Sequence, residues 1–374
     1  MEQQQPLSHL YVSATLQDTG KTSISLGLMQ ALLDRGFDPG YIKPVGQRYV
    51  QHLGHSIDED AYLFHEVFRL RDRPKLMSPI AVRRRFTREY IERPDGRKLE
   101  QSILRSRDRL GAYHNALLIE GTGHAGVGSC FGLSNARVAQ LLGAKAIIVA
   151  GGGIGKPIDE VALSMSLFAR HGVEVIGVVL NKVHPRKYDE VVGVVRKGLP
   201  LIGTRLLGAV PHVRTLTNYT LEQVAEEFDY PVLCGRKGLA NRIENTVVLA
   251  MRPEHSRKYI RENTLVITPV DRLESIQTAI ATLKNFSHAG GGIILTGSSR
   301  PDPQVQALLR ESDIPVLASK DDTFTVSSRM VHLEFKIRAA DGDKIRELRG
   351  LVARHVDIDA LLKELQPDAD SAGA

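Results

Sequence analysis

The sequence predicts an α/β fold: a mostly parallel sheet with helices on both faces, followed by a smaller α/β domain. Apolar runs of strand length alternate with helical stretches, the pattern of repeated strand–helix–strand units. Loops rich in glycine or carboxylate follow these strands, and ligands bind open sheets of this class at the carboxyl ends of the strands. The fold class therefore also indicates where functional residues should lie.

Length and composition fit a globular protein with two domains. The 374 residues are 42% hydrophobic and 25% charged, which is an ordinary balance. No apolar stretch is long enough to span a bilayer, and the start of the chain lacks the features of a secretion signal, so we expect a cytoplasmic protein with no membrane partner. Cys130 and Cys234 are far apart, which predicts structural thiols and no disulfide framework.

The first predicted unit is a strand, a tight loop and a helix. Residues 10–14 form the strand, the loop ends in Gly20-Lys21-Thr22, and residues 23–33 form the helix. Backbone N–H groups and the helix dipole at such a junction hold phosphate, Lys21 would reach the outer phosphates, and the Thr22 hydroxyl would ligate Mg²⁺. Thr15 stands where the usual pattern has glycine, and the alternative is an ordinary solvated first turn. We expect a nucleoside triphosphate site.

The remaining elements continue the alternation. Gly36 should end the first helix, and a boundary is expected within residues 213–238, where the alternation fades. In the first part, strands are predicted at residues 39–45, 116–120, 144–150, 173–181 and 205–210, and helices at 61–68, 134–142, 157–171 and 186–197. In the second part, strands are predicted at residues 264–268, 292–296 and 315–318, and helices at 272–286 and 302–311. The tail from Phe335 has predicted helical stretches at residues 343–352 and 358–365.

Three charged residues lie within or next to predicted strands and helices. Glu120 ends an apolar strand, where it would either help to bind Mg²⁺ opposite Thr22 or cap nearby N–H groups. Lys43 interrupts an apolar strand, so it either extends to solvent or faces a polar site near the outer phosphates. Asp60 precedes a predicted helix and could be its N-cap.

Positive charge is concentrated in one segment. Residues 69–109 contain fourteen cations and six anions, a net charge of +8 in a chain whose net charge is +6. This segment could bind an anionic small molecule near Arg83, Arg84 and Arg85, or it could be a solvated helical surface. Nucleic acid is not expected, because Phe86 and Tyr90 alone do not make a stacking platform.

Several of these motifs resemble a known family. The runs SATLQDTGKTSISLGLMQALLDRGFDPGYIKPVGQ, DEDAYLF, SPIAV, IEGTGHAGVGS and GVVLNKV resemble dethiobiotin synthetase and, more closely, the N-terminal region of long phosphotransacetylases. NTLVITPVDR and GIILTGSSRPDP resemble the DRTGG domain that follows that region. The resemblance implies a dethiobiotin synthetase-like P-loop nucleotide-binding domain over residues 1–214, a DRTGG-like regulatory or interaction domain over 215–334 and a helical tail over 335–374.

The resemblance also implies roles for individual residues. Lys21 and Lys43 would be catalytic, with Lys43 contacting the phosphates and the carbamate, and Asn181 would contact the adenine. Thr22, Asp60 and Glu120 would bind Mg²⁺. The remaining nucleotide contacts would come from the loop and the helix start, namely Thr15, Gln17, Asp18, Thr19, Gly20, Lys21, Thr22 and Ser23.

The chain departs from the synthetases where these bind their diamino acid. After Pro44 and Val45 it has Gly46, Gln47 and Arg48, where synthetases continue Ala-Ser-Gly, and after Glu120 and Gly121 it has Thr-Gly-His in place of Ala-Gly-Gly. We therefore expect a Mg²⁺-dependent ATP-binding protein, an ATPase or nucleotide sensor, with a regulatory or assembly domain. The alternatives are an ATP-dependent ligase acting on another carboxylate or carbamate, and a non-catalytic nucleotide-binding interaction module. The resemblance further implies a homodimer and a protein partner in acetate metabolism.

Overall fold

The chain divides into two units. The computed structural model describes residues 6–52, 54–286, 290–298, 300–333 and 335–366. Unit 1 contains residues 1–212 and 337–374, and unit 2 contains residues 213–336. The first five residues of the first predicted domain and residues 367–374 of the predicted tail lie outside the described residues.

The elements of unit 1 up to residue 212 follow one another in the predicted alternation. The strands are β1 (His9–Ala14), β2 (Pro39–Ile42), β3 (Val45–Gly46), β4 (Tyr49–His52), β5 (His55–Asp58), β6 (Ile80–Ala81), β7 (Ala116–Glu120), β8 (Ala144–Gly151), β9 (Val175–Val183) and β10 (Leu206–Pro211). The helices are α1 (Lys21–Asp34), α2 (Glu59–Phe68), α3 (Pro74–Met77), α4 (Phe86–Glu92), α5 (Gly96–Gly111), α6 (Asn135–Leu141), α7 (Gly155–Arg170) and α8 (Tyr188–Gly198).

The central sheet of unit 1 confirms the predicted fold class. Within the described part of unit 1, six parallel strands pair in the order β10-β9-β8-β1-β7-β2. Its inner strands are buried along almost their whole length, as expected for strands covered on both faces by helices. Strands β7 and β2 lie on one side of β1, and β8, β9 and β10 lie on its other side. The loop after β1 therefore lies at the switch point of the sheet, where such folds bind ligands.

Three of the differences between predicted and observed boundaries have a clear local reason. The strand predicted over residues 39–45 is split into β2 and β3, because Pro44 lacks the N–H group that a continuous ladder needs. Helix α7 begins at Gly155, so Pro157 is not its first residue but still lies in the first turn, where proline is tolerated. Helix α2 begins at Glu59 and its N-cap is Asp58, whose carboxylate accepts the Asp60 N–H at 2.9 Å.

Unit 2 contains a second sheet. Its strands are β11 (Tyr219–Thr220), β12 (Val232–Cys234), β13 (Arg242–Ile243), β14 (Asn245–Val248), β15 (Thr264–Pro269), β16 (Gly291–Thr296) and β17 (Val316–Ala318). Its helices are α9 (Arg214–Thr217), α10 (Leu221–Phe228), α11 (Pro253–Ser256), α12 (Leu273–Lys284), α13 (Pro303–Arg310) and α14 (Thr323–Val331). Strands β14 to β17 are parallel neighbours in chain order, and β12 pairs antiparallel with β17. Apolar clusters cover both faces of this sheet.

The chain returns to unit 1 after unit 2. Helix α15 (Gly342–His355) packs against α1, and helix α16 (Ile358–Leu365) follows it. The contact between α1 and α15 is close, because a Cβ at Gly27 would lie 2.2 Å from the Cβ of Val352. The Arg35 guanidinium at the end of α1 also binds the Asp359 carboxylate through Nε at 3.1 Å and Nη2 at 2.8 Å. The helix that follows the predicted phosphate loop is therefore held by the C-terminal part of the chain.

Across the described residues, no helix combines the length and the apolarity that a membrane span requires.

Candidate functional site

The loop between β1 and α1 has the backbone shape of a phosphate cradle. Asp18 and Gly20 both adopt left-handed conformations, with φ angles of 57° and 98°. Aspartate tolerates this region better than most side chains, and glycine adopts it freely. The first hydrogen bond into α1 runs from the Ile24 N–H to the Gly20 carbonyl at 3.1 Å, so the N–H groups of residues 21–23 have no acceptor within the helix.

Two residues at the end of β9 hold this loop in place. The Asn181 side-chain amide donates to the Thr19 carbonyl at 2.8 Å, and the Lys182 ammonium donates to the Asp18 carbonyl at 2.8 Å. A Cβ at Gly20 would lie 2.1 Å from the Asn181 Nδ2, so any side chain there would disturb this contact. The loop shape therefore depends on β9 as well as on its own sequence.

Thr15, which stands in place of the expected glycine, fits this loop without left-handed geometry. Its backbone N–H donates to the Val149 carbonyl at 3.0 Å, continuing the pairing of β1 with β8. The described non-glycine residues with positive φ do not include it. Thr15 is buried, and its hydroxyl has no hydrogen-bond partner among the described residues. Asp18 and Gly20 are the residues of this loop with left-handed backbone conformations. Position 15 therefore does not require glycine.

Lys21 and Thr22 begin α1 beside the end of β7. Lys21 is buried, and this burial, opposed by the nearby Glu120 carboxylate, lowers the pKa of its ammonium to about 8. The Thr22 hydroxyl donates to Glu120 Oε1 at 2.7 Å, and the Tyr41 hydroxyl donates to Glu120 Oε2 at 3.0 Å. Glu120 therefore binds side chains from α1 and β2, and no backbone N–H of the described residues donates to its carboxylate.

Lys43 lies among three carboxylates and does not extend to solvent. Its ammonium contacts Asp60 directly, Glu120 Oε1 at 3.3 Å and Asp58 Oδ1 at 3.6 Å, and all four side chains are buried. Burial disfavours the ammonium, but the three carboxylates outweigh it and hold the pKa of Lys43 well above its usual value. The predicted N-cap role of Asp60 is wrong, because its carboxylate binds Lys43 while Asp58 caps α2.

The structure brings some of the predicted residues together and leaves others apart. Lys21, Lys43, Asp60 and Glu120 form one buried polar cluster that the partly exposed Thr22 joins, and Asn181 reaches the loop from β9. Thr19 on the loop is buried, and Ser23 in the first turn of α1 is partly exposed. Gln17 and Asp18 are exposed. Arg83, Arg84 and Arg85 are exposed and do not belong to the buried cluster.

Three residues of this site were not predicted as site residues. Tyr41 binds Glu120 and stacks on Phe64 with ring centroids 3.7 Å apart, and Asp58 and Lys182 make the contacts described above. A tyrosine in a buried strand signals that its hydroxyl has a partner, but the sequence does not indicate which one. The Lys182 contact depends on a left-handed backbone at that residue, for which the sequence gives no signal.

The oxygen atoms of this cluster suit a Mg²⁺ ion that also binds a ligand. The Thr22 hydroxyl binds the Glu120 carboxylate, and the Lys43 ammonium bridges the carboxylates of Glu120 and Asp60. No group of three or more His, Cys, Asp or Glu residues placed to hold a metal occurs within the described ranges. Mg²⁺ usually takes one or two protein carboxylates and completes its shell with phosphates and water, so the carboxylates of Asp60 and Glu120 would be sufficient protein ligands.

Comparison with known proteins identifies both units. The AAA domain family matches residues 8–220, and the DRTGG domain family matches residues 223–333. The phosphate acetyltransferase of Nitratidesulfovibrio vulgaris is 25% identical over 373 residues, which cover 94% of this chain and 50% of that protein. The phosphate acetyltransferase of Deinococcus radiodurans is 26% identical over 371 residues, which cover 93% and 50%. The chain thus spans about half the length of these relatives.

Solved structures resemble parts of the chain. The MinC:MinD cell division protein complex of Aquifex aeolicus overlaps 56% of this chain and 83% of that chain, with 14% identity and a TM-score of 0.37. The CBS and DRTGG domains of the regulatory region of Clostridium perfringens pyrophosphatase overlap 31% and 47%, with 22% identity and a TM-score of 0.26. The family matches confirm the resemblance found in the sequence: the chain belongs to the AAA domain family and carries a DRTGG domain after its P-loop domain.

Proposed function

We propose that unit 1 binds ATP together with Mg²⁺ in the cradle between β1 and α1. The observation that carries this proposal is the arrangement of Lys21 and Thr22 at the start of α1, opposite Glu120 and beside N–H groups without an intrahelical acceptor. Helix N-termini of this kind bind phosphate through N–H groups and the helix dipole. The buried Lys21 ammonium would add a positive charge at the outer phosphates.

The oxygen cluster would hold the metal. Thr22, Asp60 and Glu120 would be the protein ligands, and Lys43 would remain as the cation beside the outer phosphate. A bound Mg²⁺ would neutralise phosphate charge and orient the terminal phosphate. Lys43 would stabilise negative charge at the same place, because its carboxylate neighbours keep it protonated.

Asn181 would favour adenine over guanine. A backbone carbonyl can only accept, so the Asn181 atom 2.8 Å from the Thr19 carbonyl must be the amide nitrogen. The oxygen of Asn181 remains as an acceptor, and it suits the 6-amino group of adenine rather than the 6-oxo group of guanine. This contact accords with the role that the dethiobiotin synthetase resemblance implies.

The test is a titration of ATP with and without Mg²⁺ on the wild type and Lys21→Ala. We expect Mg²⁺ to tighten binding by the wild type, and Lys21→Ala to weaken it by about 10–100-fold, because a charge-assisted contact is worth roughly 1.5–3 kcal/mol. Lys197→Ala, which removes an exposed lysine on α8, is the matched control and should bind like the wild type. Equal affinity of Lys21→Ala and the wild type would refute the proposal.

Measurements of ATP turnover distinguish the candidate functions. An ATPase or nucleotide sensor would release ADP slowly without a second substrate. A ligase, which the buried position of Lys43 beside Glu120 favours, would release ADP only when a suitable carboxylate or amine is present, and Lys43→Ala would abolish that release. In a non-catalytic interaction module, bound ATP would survive a single-turnover experiment intact.

We also propose a role for unit 2 and an oligomeric state for the protein. The DRTGG match and the similarity to phosphate acetyltransferases support a regulatory or assembly domain and a protein partner in acetate metabolism. A homodimer and a cytoplasmic location accord with the same resemblance. Sedimentation of the purified chain with and without Mg²⁺ and ATP would test the dimer.

A further inference from the structure

A shallow concavity in unit 1 has none of the residues of the polar cluster in its lining, and three of its six lining residues are arginines. It has a volume of about 610 Å³ and is formed by Arg83, Arg85, Thr87, Arg88, Ile91 and Glu92. The concavity is a shallow depression that is open to solvent, so a ligand there would be held by side-chain contacts rather than by enclosure. Its wall is the end of the segment after β6 and one face of α4.

The charges around this concavity are unbalanced. The Arg88 guanidinium lies 3.6 Å from the Glu92 carboxylate, an exposed pair one helical turn apart. For Arg83 and Arg85, no ion pair or side-chain hydrogen bond is found within the part of the chain that the structure describes. Three arginine side chains thus line one open depression whose lining includes a single acidic residue, Glu92. Guanidinium groups bind carboxylate and phosphate oxygens in a bidentate manner, so this space suits a ligand with more than one anionic group.

The arginines stand on a fixed backbone. Phe86 and Tyr90 of α4 pack edge-on against Phe131, with ring centroids 5.3 Å and 6.2 Å apart. Arg85 precedes α4 in a left-handed conformation with a φ of 76°, which is unfavourable for a residue with a side chain. A glycine would adopt this conformation without strain. The chain therefore keeps an arginine at a position where the backbone favours glycine.

The concavity is close in the chain to the strand that carries Lys43. Strand β6 pairs with β3, which begins two residues after Lys43, and the Val82 N–H donates to the Gly46 carbonyl at 2.8 Å. Arg83 is the next residue. The Val45 carbonyl also accepts a hydrogen bond from Thr122, in the loop that follows Glu120. One short ladder therefore connects the arginine concavity to the polar cluster.

We propose that this concavity binds a small, multiply charged anion, carrying two or more carboxylate or phosphate groups, through Arg83, Arg85 and Arg88. The proposal concerns a site other than the cradle at Lys21 and does not depend on ATP binding. The sequence predicts an anion site near Arg83, Arg84 and Arg85. The proposal assigns this site to Arg83, Arg85 and Arg88, because Arg84 is not among the residues that line the concavity.

The experiment measures binding of citrate and of pyrophosphate to the full chain by calorimetry, without Mg²⁺ or nucleotide. The test variant is Arg83→Gln/Arg85→Gly, in which the glycine also relieves the left-handed strain, so its thermal midpoint should not fall. The control is Arg97→Gln/Arg105→Gln, which removes the same charge from exposed positions on α5. We expect the test variant to raise the dissociation constant at least about tenfold and the control to change it less than about twofold.

Lys21→Ala separates this site from the phosphate cradle. Citrate binding should survive Lys21→Ala, and pyrophosphate should lose only the share bound in the cradle. Whichever anion loses more affinity in Arg83→Gln/Arg85→Gly identifies the preferred group, carboxylate or phosphate. The proposal is overturned if both double variants weaken binding equally, if Lys21→Ala alone abolishes it, or if the wild type binds neither anion up to about 1 mM.

Discussion

Gly20 is the residue on which the shape of the phosphate loop depends most. Its φ of 98° and the 2.1 Å approach of a Cβ to the Asn181 Nδ2 are two separate obstacles to any side chain. The first is a property of the backbone alone, and the second concerns the contact that links the loop to β9. A substitution here should therefore affect both stability and nucleotide binding.

We expect Gly20→Ala to lower the free energy of unfolding by about 2 kcal/mol or more, because strain and overlap add. ATP affinity should fall at least about tenfold, since Asn181 must move. Gly172→Ala is the matched control: its φ is 66°, but nothing lies within 4 Å of the added Cβ. It should cost about 1 kcal/mol and leave ATP affinity unchanged. Urea unfolding and calorimetry measure both effects, and equal loss of affinity in the two variants would contradict this account.

His114 is a second residue whose contribution can be measured, through the pH dependence of the free energy of unfolding. Its Nε2 lies 2.8 Å from Asp72 Oδ2, and its Nδ1 lies 3.4 Å from Asp38 Oδ2. Burial lowers the pKa of His114, but the hydrogen bond to Asp72 and the charges of Asp72 and Asp38 outweigh it, so the pKa is raised above 6.5. The protonated histidine therefore stabilises the fold below its unfolded pKa, and this contribution is lost as the pH rises through the folded pKa.

His114→Gln should therefore lose more stability at acid than at alkaline pH. We expect the difference in free energy of unfolding from the wild type to be larger at about pH 5.5 than at about pH 8.5. Urea unfolding across this range checks the expectation. In an Asp72→Asn background the pH dependence of the difference should shrink. A difference that grows with pH would show that the ion pair with Asp72 is not its source.

At the scale of elements, apolar runs made the strands of unit 1 predictable. The predicted strand at 116–120 is β7, and those at 144–150 and 173–181 match β8 and β9 with ends shifted by at most two residues. These strands are buried on both faces, so their sequences are nearly continuous apolar runs. Helix starts were less predictable, because neighbouring polar residues compete as caps, as Asp58 and Asp60 do. The short ladders of β3 with β6 and β4 with β5 have no periodic signal of their own.

The convergence of the site residues was also predictable in part. Lys21, Lys43 and Glu120 follow or end parallel strands, whose carboxyl ends meet at one edge of the sheet. The partners of these residues, such as Tyr41 and Lys182, depend on register and on local backbone angles, which the sequence pattern does not contain. The roles assigned to the site residues remain predictions for the experiments above.

The contact between α1 and α15 predicts that two glycine-to-alanine substitutions inside helices change the free energy of unfolding in opposite directions. Gly27→Ala should lower the free energy of unfolding by about 1–3 kcal/mol, because the added methyl group overlaps Val352. Gly193→Ala, also inside a helix but with nothing within 4 Å, should raise it by up to about 1 kcal/mol through helix propensity. The opposite signs are the test, measured by urea unfolding. Stabilisation by both substitutions would mean that α15 does not pack closely on α1.

At the scale of the whole molecule, unit 1 is completed by a segment that follows unit 2 in the chain. Helices α15 and α16 and the two residues between them contain eight buried apolar side chains, namely Ile345, Leu348, Leu351, Val352, Val356, Ile358, Leu361 and Leu365. Burying one such side chain contributes about 1.5–3 kcal/mol. Their sum is comparable with the total stability of a typical domain, about 5–15 kcal/mol.

Removal of residues 337–374 should therefore unfold unit 1. We expect the shortened chain to lose most of its helical signal in circular dichroism and to become sensitive to proteolysis before residue 212. Unit 2 has apolar clusters of its own and should keep its protection, which makes it the internal control. If unit 1 keeps its thermal transition and its ATP affinity without residues 337–374, α15 and α16 do not stabilise it.

This arrangement also determines when unit 1 can finish folding during synthesis. Helix α1 ends at Asp34, and its packing partner α15 begins only at Gly342. Ribosomes add about 5–20 residues per second, so the face of α1 that Val352 covers waits roughly 15–60 s for its partner. During that interval unit 2 can complete its own fold, while the nascent phosphate-loop helix is a natural client for chaperones that bind apolar segments.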